Sequence, residues 1–402
     1  MKRKGRNRKR YIYIYIFIIG KKERKKERMF SQTLKSQLTK QAIRRYTVSA
    51  IDGPGKVSTL TVRVHAGARH APKDGMSHLL SRFNFMDTGD KSALRLVRES
   101  ELLGGRVESS VCRQYITLRA TFLKEDLPYY VNAIGNVLYK SSFKPHEFTE
   151  QVLPAAEHDL HLFRSDNVAI AKDALFNVTY RNGLGNPVYY DGVEPITLDE
   201  VKQFADKVYT RDNIEITGTN VNEADLKKFV DQSLINSLPV GKSLKPTTAP
   251  RVYYGESRIR RRHGQSVAGI AVPVTKEQFA QFEVLSTYLT SPLFELAGAV
   301  NSAALYKFPG EHGLFTMFVK DADAKVVSEN IKSIVQKLKR GVDISGAKEL
   351  ARTRLVNNGE LSSCEVCGEE LNVDTVRDFK LGSKFNYVAL GDISRLPHAD
   401  EL

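Results

Sequence analysis

Three elements of this chain recur at a common spacing. The strand-like run that opens at Gln114 is matched by one at Leu314, the helical stretch 125–139 by 324–338, and the helix that starts near His146 by one near Gly346. Each offset is about 200 residues, and one offset shared by a strand and two helices marks a duplicated unit. The unit mixes both hydrophobic periods. Residues 57–64 (VSTLTVRV) alternate and are β-branched, as in a strand with one buried face, and 114–122 and 314–320 read the same way. Leu127, Val131, Ile134 and Leu138 keep helical spacing, as do Val327, Ile331, Ile334, Val335 and Leu338 in the second half. The expectation is an α+β chain of two tandem homologous domains, each a mixed sheet with helices packed on one face. Residues 238–250 (LPVGKSLKPTTAP), rich in Pro, Gly, Ser and Thr, read as the linker. This places one domain at 47–237, the linker at 238–254 and the second domain at 255–402.

Charge divides the chain differently. The formal net charge is +15, yet residues 1–28 carry 13 Lys/Arg against two Glu, and 29–46 carry four Lys/Arg and no acid. The remainder, 47–402, is neutral, so the basic balance belongs to the leader and gives no reason to expect nucleic-acid binding. Within the leader, the apolar run Tyr11–Ile19 has nine residues, too few for a membrane-spanning helix. Residues 1–28 are read as a basic extension preceding a start at Met29. Residues 29–46 have the character of a mitochondrial presequence: basic and hydroxylated residues, no acid, and Phe30, Leu34, Leu38 and Ala42 along one helical face. Its cleavage region is expected at Arg44, Arg45, Tyr46 and Thr47. Three cysteines cannot build a disulfide framework, and a reducing compartment suits them.

The chemistry-bearing segment is Gly75-Met76-Ser77-His78-Leu79-Leu80-Ser81-Arg82-Phe83, shortly after the first alternating strand. On a helix, residues at i and i+4 share a face, so His78 and Arg82 lie side by side with Ser81 next to them. This segment resembles the inverted zincin motif His-x-x-Glu-His of the pitrilysin and mitochondrial processing peptidase family. There two histidines bind zinc and the glutamate activates the attacking water. Here His78 matches the first ligand, Ser81 stands at the glutamate and Arg82 at the second histidine. Serine is no carboxylate base, and arginine is always cationic with no lone pair to give. The family's remaining ligand is a glutamate 75–80 residues further on, and Glu157 and Asp159 both answer to that position. Tyr180–Pro187 with Glu194-Pro195-Ile196, and the ending Val388–Leu402, extend the resemblance over almost all of 47–402.

The resemblance implies an inactive metallopeptidase homologue without metal or other cofactor. Within the family the chain is most similar to members that serve as non-catalytic subunits of the ubiquinol–cytochrome c reductase complex. These stand on the matrix side of the inner membrane. The partners implied are core protein 1, cytochrome b, cytochrome c1 and the iron–sulfur protein of a dimeric complex, with peripheral membrane association and no nucleic acid. The alternative is a non-catalytic, presequence-binding subunit of the processing peptidase, whose long glycine-rich loop this chain lacks.

Other motifs have plainer readings. Cys364-Glu365-Val366-Cys367 has only Cys112 for company, so a four-cysteine metal site is excluded. Arg258–His263 is read as a solvated strand edge, with anionic lipid or an acidic partner as the rival. The ending Ala399–Leu402 resembles a luminal retention signal but lacks its leading Lys or His.

Overall fold

A computed structural model describes residues 46–245, 249–309, 311–361, 373 and 376–402. Residues 48–402 form one compact unit. The first sheet contains β1 (Thr47–Ile51), β2 (Val57–Val64), β3 (Arg106–Val111), β4 (Ile116–Leu123) and β5 (Ile214–Thr219), in the spatial order β1-β5-β2-β4-β3. Alternation in β2 turns Leu60, Val62 and Val64 into the core and leaves Thr59 and Arg63 half-buried on the other face. Register carries that division across the sheet, because Leu60 stands opposite Ala120 of β4 and Gly218 of β5, and Val62 opposite Leu118 and Ile216. The longer helices of this half are α1 (Met76–Phe83), α2 (Ala93–Leu102), α3 (Leu127–Lys140), α4 (Leu153–Ser165), α5 (Asn167–Tyr180), α6 (Leu198–Val208) and α7 (Glu223–Gln232). Thr197 and Glu200 close α6 with a reciprocal capping box, and Asn222 caps α7.

The second sheet contains β6 (Glu256–Arg260), β7 (Ser266–Thr275), β8 (Ser302–Phe308), β9 (His312–Asp321) and β12 (Asn386–Gly391), in the order β6-β12-β7-β9-β8. The two-residue strands β10 (Val342–Asp343) and β11 (Asp378–Phe379) pair separately. Position for position this is the order of the first sheet, so the duplication extends to topology. Helices α8 (Phe279–Thr290) and α9 (Ala324–Arg340) cover one face, through Phe282, Leu285, Val327, Ile331 and Ile334. A further helix, α10, spans Lys348–Leu361.

The opposite face of this sheet is covered by α5, a helix of the first half. Ala171, Leu175, Phe176 and Tyr180 pack against Val267, Ala271, Phe318, Val388 and Leu390. Strands β7 and β12 are therefore buried on both faces, which is why they read as continuous apolar runs. Asn386 fastens the joint. Its amide nitrogen donates to Thr179 Oγ1 at 2.8 Å and Tyr253 O at 3.1 Å, while its oxygen accepts from Gly255 N–H at 2.8 Å.

The C-terminal segment closes the β6 edge. Arg258 donates to the carbonyls of Leu396 at 3.1 Å and Pro397 at 2.8 Å, and Glu256 accepts from Ala399 N–H at 3.0 Å. This corrects the reading of Arg258 as a solvated edge residue: its guanidinium is spent on the chain's own carbonyls. Leu402 is buried and its oxygen accepts from Lys339 of α9 at 2.8 Å, while Asp400 and Glu401 are exposed.

Candidate functional site

The segment containing His78 forms α1, which a glycine lets dock tightly. Gly75 is the residue before α1 and has φ +80°. A Cβ there would lie 2.4 Å from Tyr190 Cα, so only glycine admits this approach. Because the backbones meet, Tyr190 N–H reaches His78 Nδ1 at 3.2 Å. His78 and Arg82 share the face of α1 turned toward α4, which supplies Asp159, Leu162 and Phe163. Edge strand β3 adds Ser109, Ser110 and Val111, and Tyr189 completes a cavity of about 220 Å3. Tyr189 stands edge-on to the His78 ring at 5.1 Å and packs on Phe163 at 4.9 Å.

One carboxylate oxygen organises the polar contacts. Asp159 Oδ2 lies 2.8 Å from His78 Nε2 and 2.6 Å from Arg82 Nε, and Arg82 Nη2 also contacts it. Since Nδ1 of His78 accepts from a backbone N–H, its proton sits on Nε2 and is donated to Asp159. The Arg82 cation balances the Asp159 anion. Burial pushes the Asp159 carboxyl up. The hydrogen bonds from His78 and Arg82, with the Arg82 charge, outweigh this and hold it below its ordinary range.

The structure thereby separates the two acids that the spacing left open. Asp159 reaches His78. Glu157 is exposed, two residues earlier on the same helix and so about 200° around its axis. Ser81 Oγ is buried and donates to His78 O at 2.8 Å, within its own helix. A π-helical turn, Phe148–Val152, leads into α4. Tyr189 and Tyr190 carry no motif in the sequence, and Gly75 stands there only as the first residue of the segment that contains His78. The only signal for them was a glycine ahead of an amphipathic helix.

These residues do not fit zinc. The nitrogen that would face the metal carries a proton engaged with Asp159, the second ligand position holds a cation, and the base position holds a hydroxyl occupied by backbone. Among the described residues no group of three or more His, Cys, Asp or Glu is arranged to hold a metal ion. Arg44, Arg45, Cys364 and Cys367 lie outside the described residues; Tyr46 and Thr47 are the first described, and Thr47 opens β1. Cys112 is buried, and its sulfur accepts from Tyr115 N–H at 3.3 Å.

Comparison with known families agrees with this geometry. Residues 46–192 match the model described as insulinase (peptidase family M16), and residues 195–354 match that described as the peptidase M16 inactive domain. The chain belongs to peptidase family M16, as an inactive homologue whose zinc motif is degenerate. Among its relatives is the mitochondrial cytochrome b–c1 complex subunit 2 of Saccharomyces cerevisiae, 56% identical over 91% of this chain and 98% of that protein. The proteins of the same description from Debaryomyces hansenii and Yarrowia lipolytica are 43% and 34% identical, each over 88% of this chain and 95% and 94% of their own lengths. Within family M16, the chain falls in the group of cytochrome b–c1 complex subunit 2 proteins.

Proposed function

We propose that this chain is a non-catalytic structural subunit of respiratory complex III, required for assembly and stability of the complex on the matrix side of the mitochondrial inner membrane. The observation that carries the reading is the Arg82–Asp159–His78 cluster, in a chain that otherwise keeps the peptidase architecture along 47–402. Such a cluster removes the need for a metal in a fold used for its surfaces. The similarity to cytochrome b–c1 subunit 2 proteins supplies the complex. Among the described residues no helix is long and apolar enough to cross a membrane, which suits peripheral attachment. In this reading the partners are core protein 1, cytochrome b, cytochrome c1 and the iron–sulfur protein. The presequence 29–46 is removed near Thr47, where β1 begins, and 238–254 links domains at 47–237 and 255–402.

Native electrophoresis of detergent-solubilised mitochondria tests this. The chain is expected to co-migrate with cytochrome b at the size of dimeric complex III. Migration as a small soluble heterodimer apart from the cytochromes would overturn the reading in favour of a presequence-binding processing-peptidase subunit.

A further inference from the structure

The basic run 258–263 divides in the structure. Arg258 turns to Glu256 and main-chain carbonyls, while Arg260, Arg262 and His263 are exposed. Residues 261–265 carry the chain from β6 to β7. Because β12 lies between those two strands, the segment arches over the end of β12, and Arg261 N–H donates to Gly391 O at 3.1 Å.

The arch is pinned to the start of α5. Arg261 Nη1 donates to Arg164 O at 2.8 Å and to Asn167 Oδ1 at 2.9 Å, and Asn167 Nδ2 donates to Gln265 O at 2.6 Å. Gly264 has φ +85°, and a Cβ there would lie 2.8 Å from Asn167 Nδ2, so the arch rests on that side chain. The pinning gathers arginines from three distant segments: Arg164 at the end of α4, Arg260–Arg262, and Arg395 in the turn after β12. Arg164, Arg260, Arg262 and Arg395 are exposed. Among the described residues, Arg395 alone of these four is in an ion pair, with Asp392 at 3.5 Å. The Arg260 charge also acts on Asp392, and the other nearby acid, Asp166, caps α5 by accepting from Val168 N–H. Lys320 and Asp321 of β9, opposite Val267 and Ser266, cancel one another. Five arginines against two acids leave an excess of positive charge here, in a chain whose residues 47–402 are neutral.

We propose that this arch is where the protein touches an anionic membrane surface, through lipid phosphates. This deepens the peripheral-attachment reading and rests on it. The cations flank the arch on both faces of the sheet. Arg164 precedes α5, which covers one face, and Arg395 precedes Leu396, which packs in the core on the other. No single carboxylate can meet charges so spread, whereas a layer of phosphates meets them together. The guanidinium fork also matches phosphate oxygens. The crest, residues 262–265, is exposed and carries no apolar side chain, so the contact is electrostatic and should yield to salt.

The test is co-sedimentation with vesicles of equal parts phosphatidylcholine and phosphatidylglycerol. It uses the chain from Tyr46 onward, which holds the whole compact unit and omits the basic leader, since the leader would itself bind such vesicles. Each cation at an anionic surface contributes on the order of fivefold in partitioning, so Arg260→Gln with Arg262→Gln should weaken binding by on the order of 30-fold. Salt should release the wild type. Lys202→Gln with Lys228→Gln, which removes the same charge from α6 and α7, should leave binding as in the wild type; circular dichroism confirms that both variants are folded. Equal weakening by the two pairs would assign the binding to net charge and overturn the proposal. So would a wild type that ignores these vesicles, or binds phosphatidylcholine alone equally well. An arginine variant that sediments like wild type, yet leaves the complex at lower salt, would give the arch to an acidic protein surface instead. A wild-type chain found outside the complex in native electrophoresis would retire the subunit reading itself. One found inside it, with the arginine variant binding vesicles unchanged, would retire only the arch.

Discussion

Replacing Arg82 with methionine keeps most of its apolar stem and removes its charge. The Asp159 side chain is 14% exposed and Arg82 40%, so the pair lies between a surface ion pair and a buried one. Surface pairs contribute up to about 1 kcal/mol, whereas breaking a buried pair costs roughly 3–5 kcal/mol. Because Arg82 is partly screened by solvent, a loss of about 2 kcal/mol is expected, or roughly 4–8 °C in the unfolding midpoint of a domain of this size. The pH dependence separates this from a simple packing loss. In the wild type, Asp159 is held below the unfolded carboxylate value, so its contribution is present at neutral pH and is lost as pH falls below about 4. Without Arg82, burial remains and the carboxyl rises, so ionised Asp159 opposes folding at neutral pH. The difference between variant and wild type should then be largest near neutrality and shrink toward pH 4. Urea unfolding followed by circular dichroism at the two pH values measures it. Equal differences at both, or none, would refute the assignment of Arg82 as the charge that replaces the metal.

Other substitutions probe the frame around the site. Gly75→Ala should cost more than 2 kcal/mol, since φ is positive and the methyl meets the Tyr190 backbone; calorimetry on the purified chain reads this directly. Asn386→Ala removes three hydrogen bonds at the joint between halves, at a cost of about 2–4 kcal/mol, and limited proteolysis should cut the linker sooner. Lys307 and Glu283 form an ion pair at 3.2 Å, with side chains 2% and 12% exposed. Glu283→Ala should lower stability by roughly 3–5 kcal/mol, whereas the double change Glu283→Leu with Lys307→Met should recover most of it in a denaturant titration.

How much was legible in the sequence depended on whether a residue's partners are local. β2 and α9 declare themselves because one face of each is buried and apolar and the other polar and less buried. β12 does not, since Asn386–Gly391 is buried on both faces and shows no alternation. The unit built on β7 and β12 also borrows α5 from the other half, a pairing no periodicity reports. Arg258 looked like one member of a basic run because the carbonyls it serves lie more than 130 residues away. At the site, the motif showed what was lost at Ser81 and Arg82. The choice between Glu157 and Asp159 needed the phase of α4, and the π-helical turn at Phe148–Val152 shifts that phase relative to a continuous α-helix. The roles of Tyr189 and Tyr190 follow from the close approach at Gly75, which a sequence records only as one more glycine.

The most direct test of the claim that an internal Arg–Asp–His cluster has replaced the metal is zinc binding by the purified chain, read by calorimetry and elemental analysis. The wild type should take up no stoichiometric zinc. Ser81→Glu with Arg82→His, which returns a second histidine beside His78 and Asp159, should bind about one ion per chain. One tightly held zinc in the wild type, lost on His78→Ala, would contradict the account.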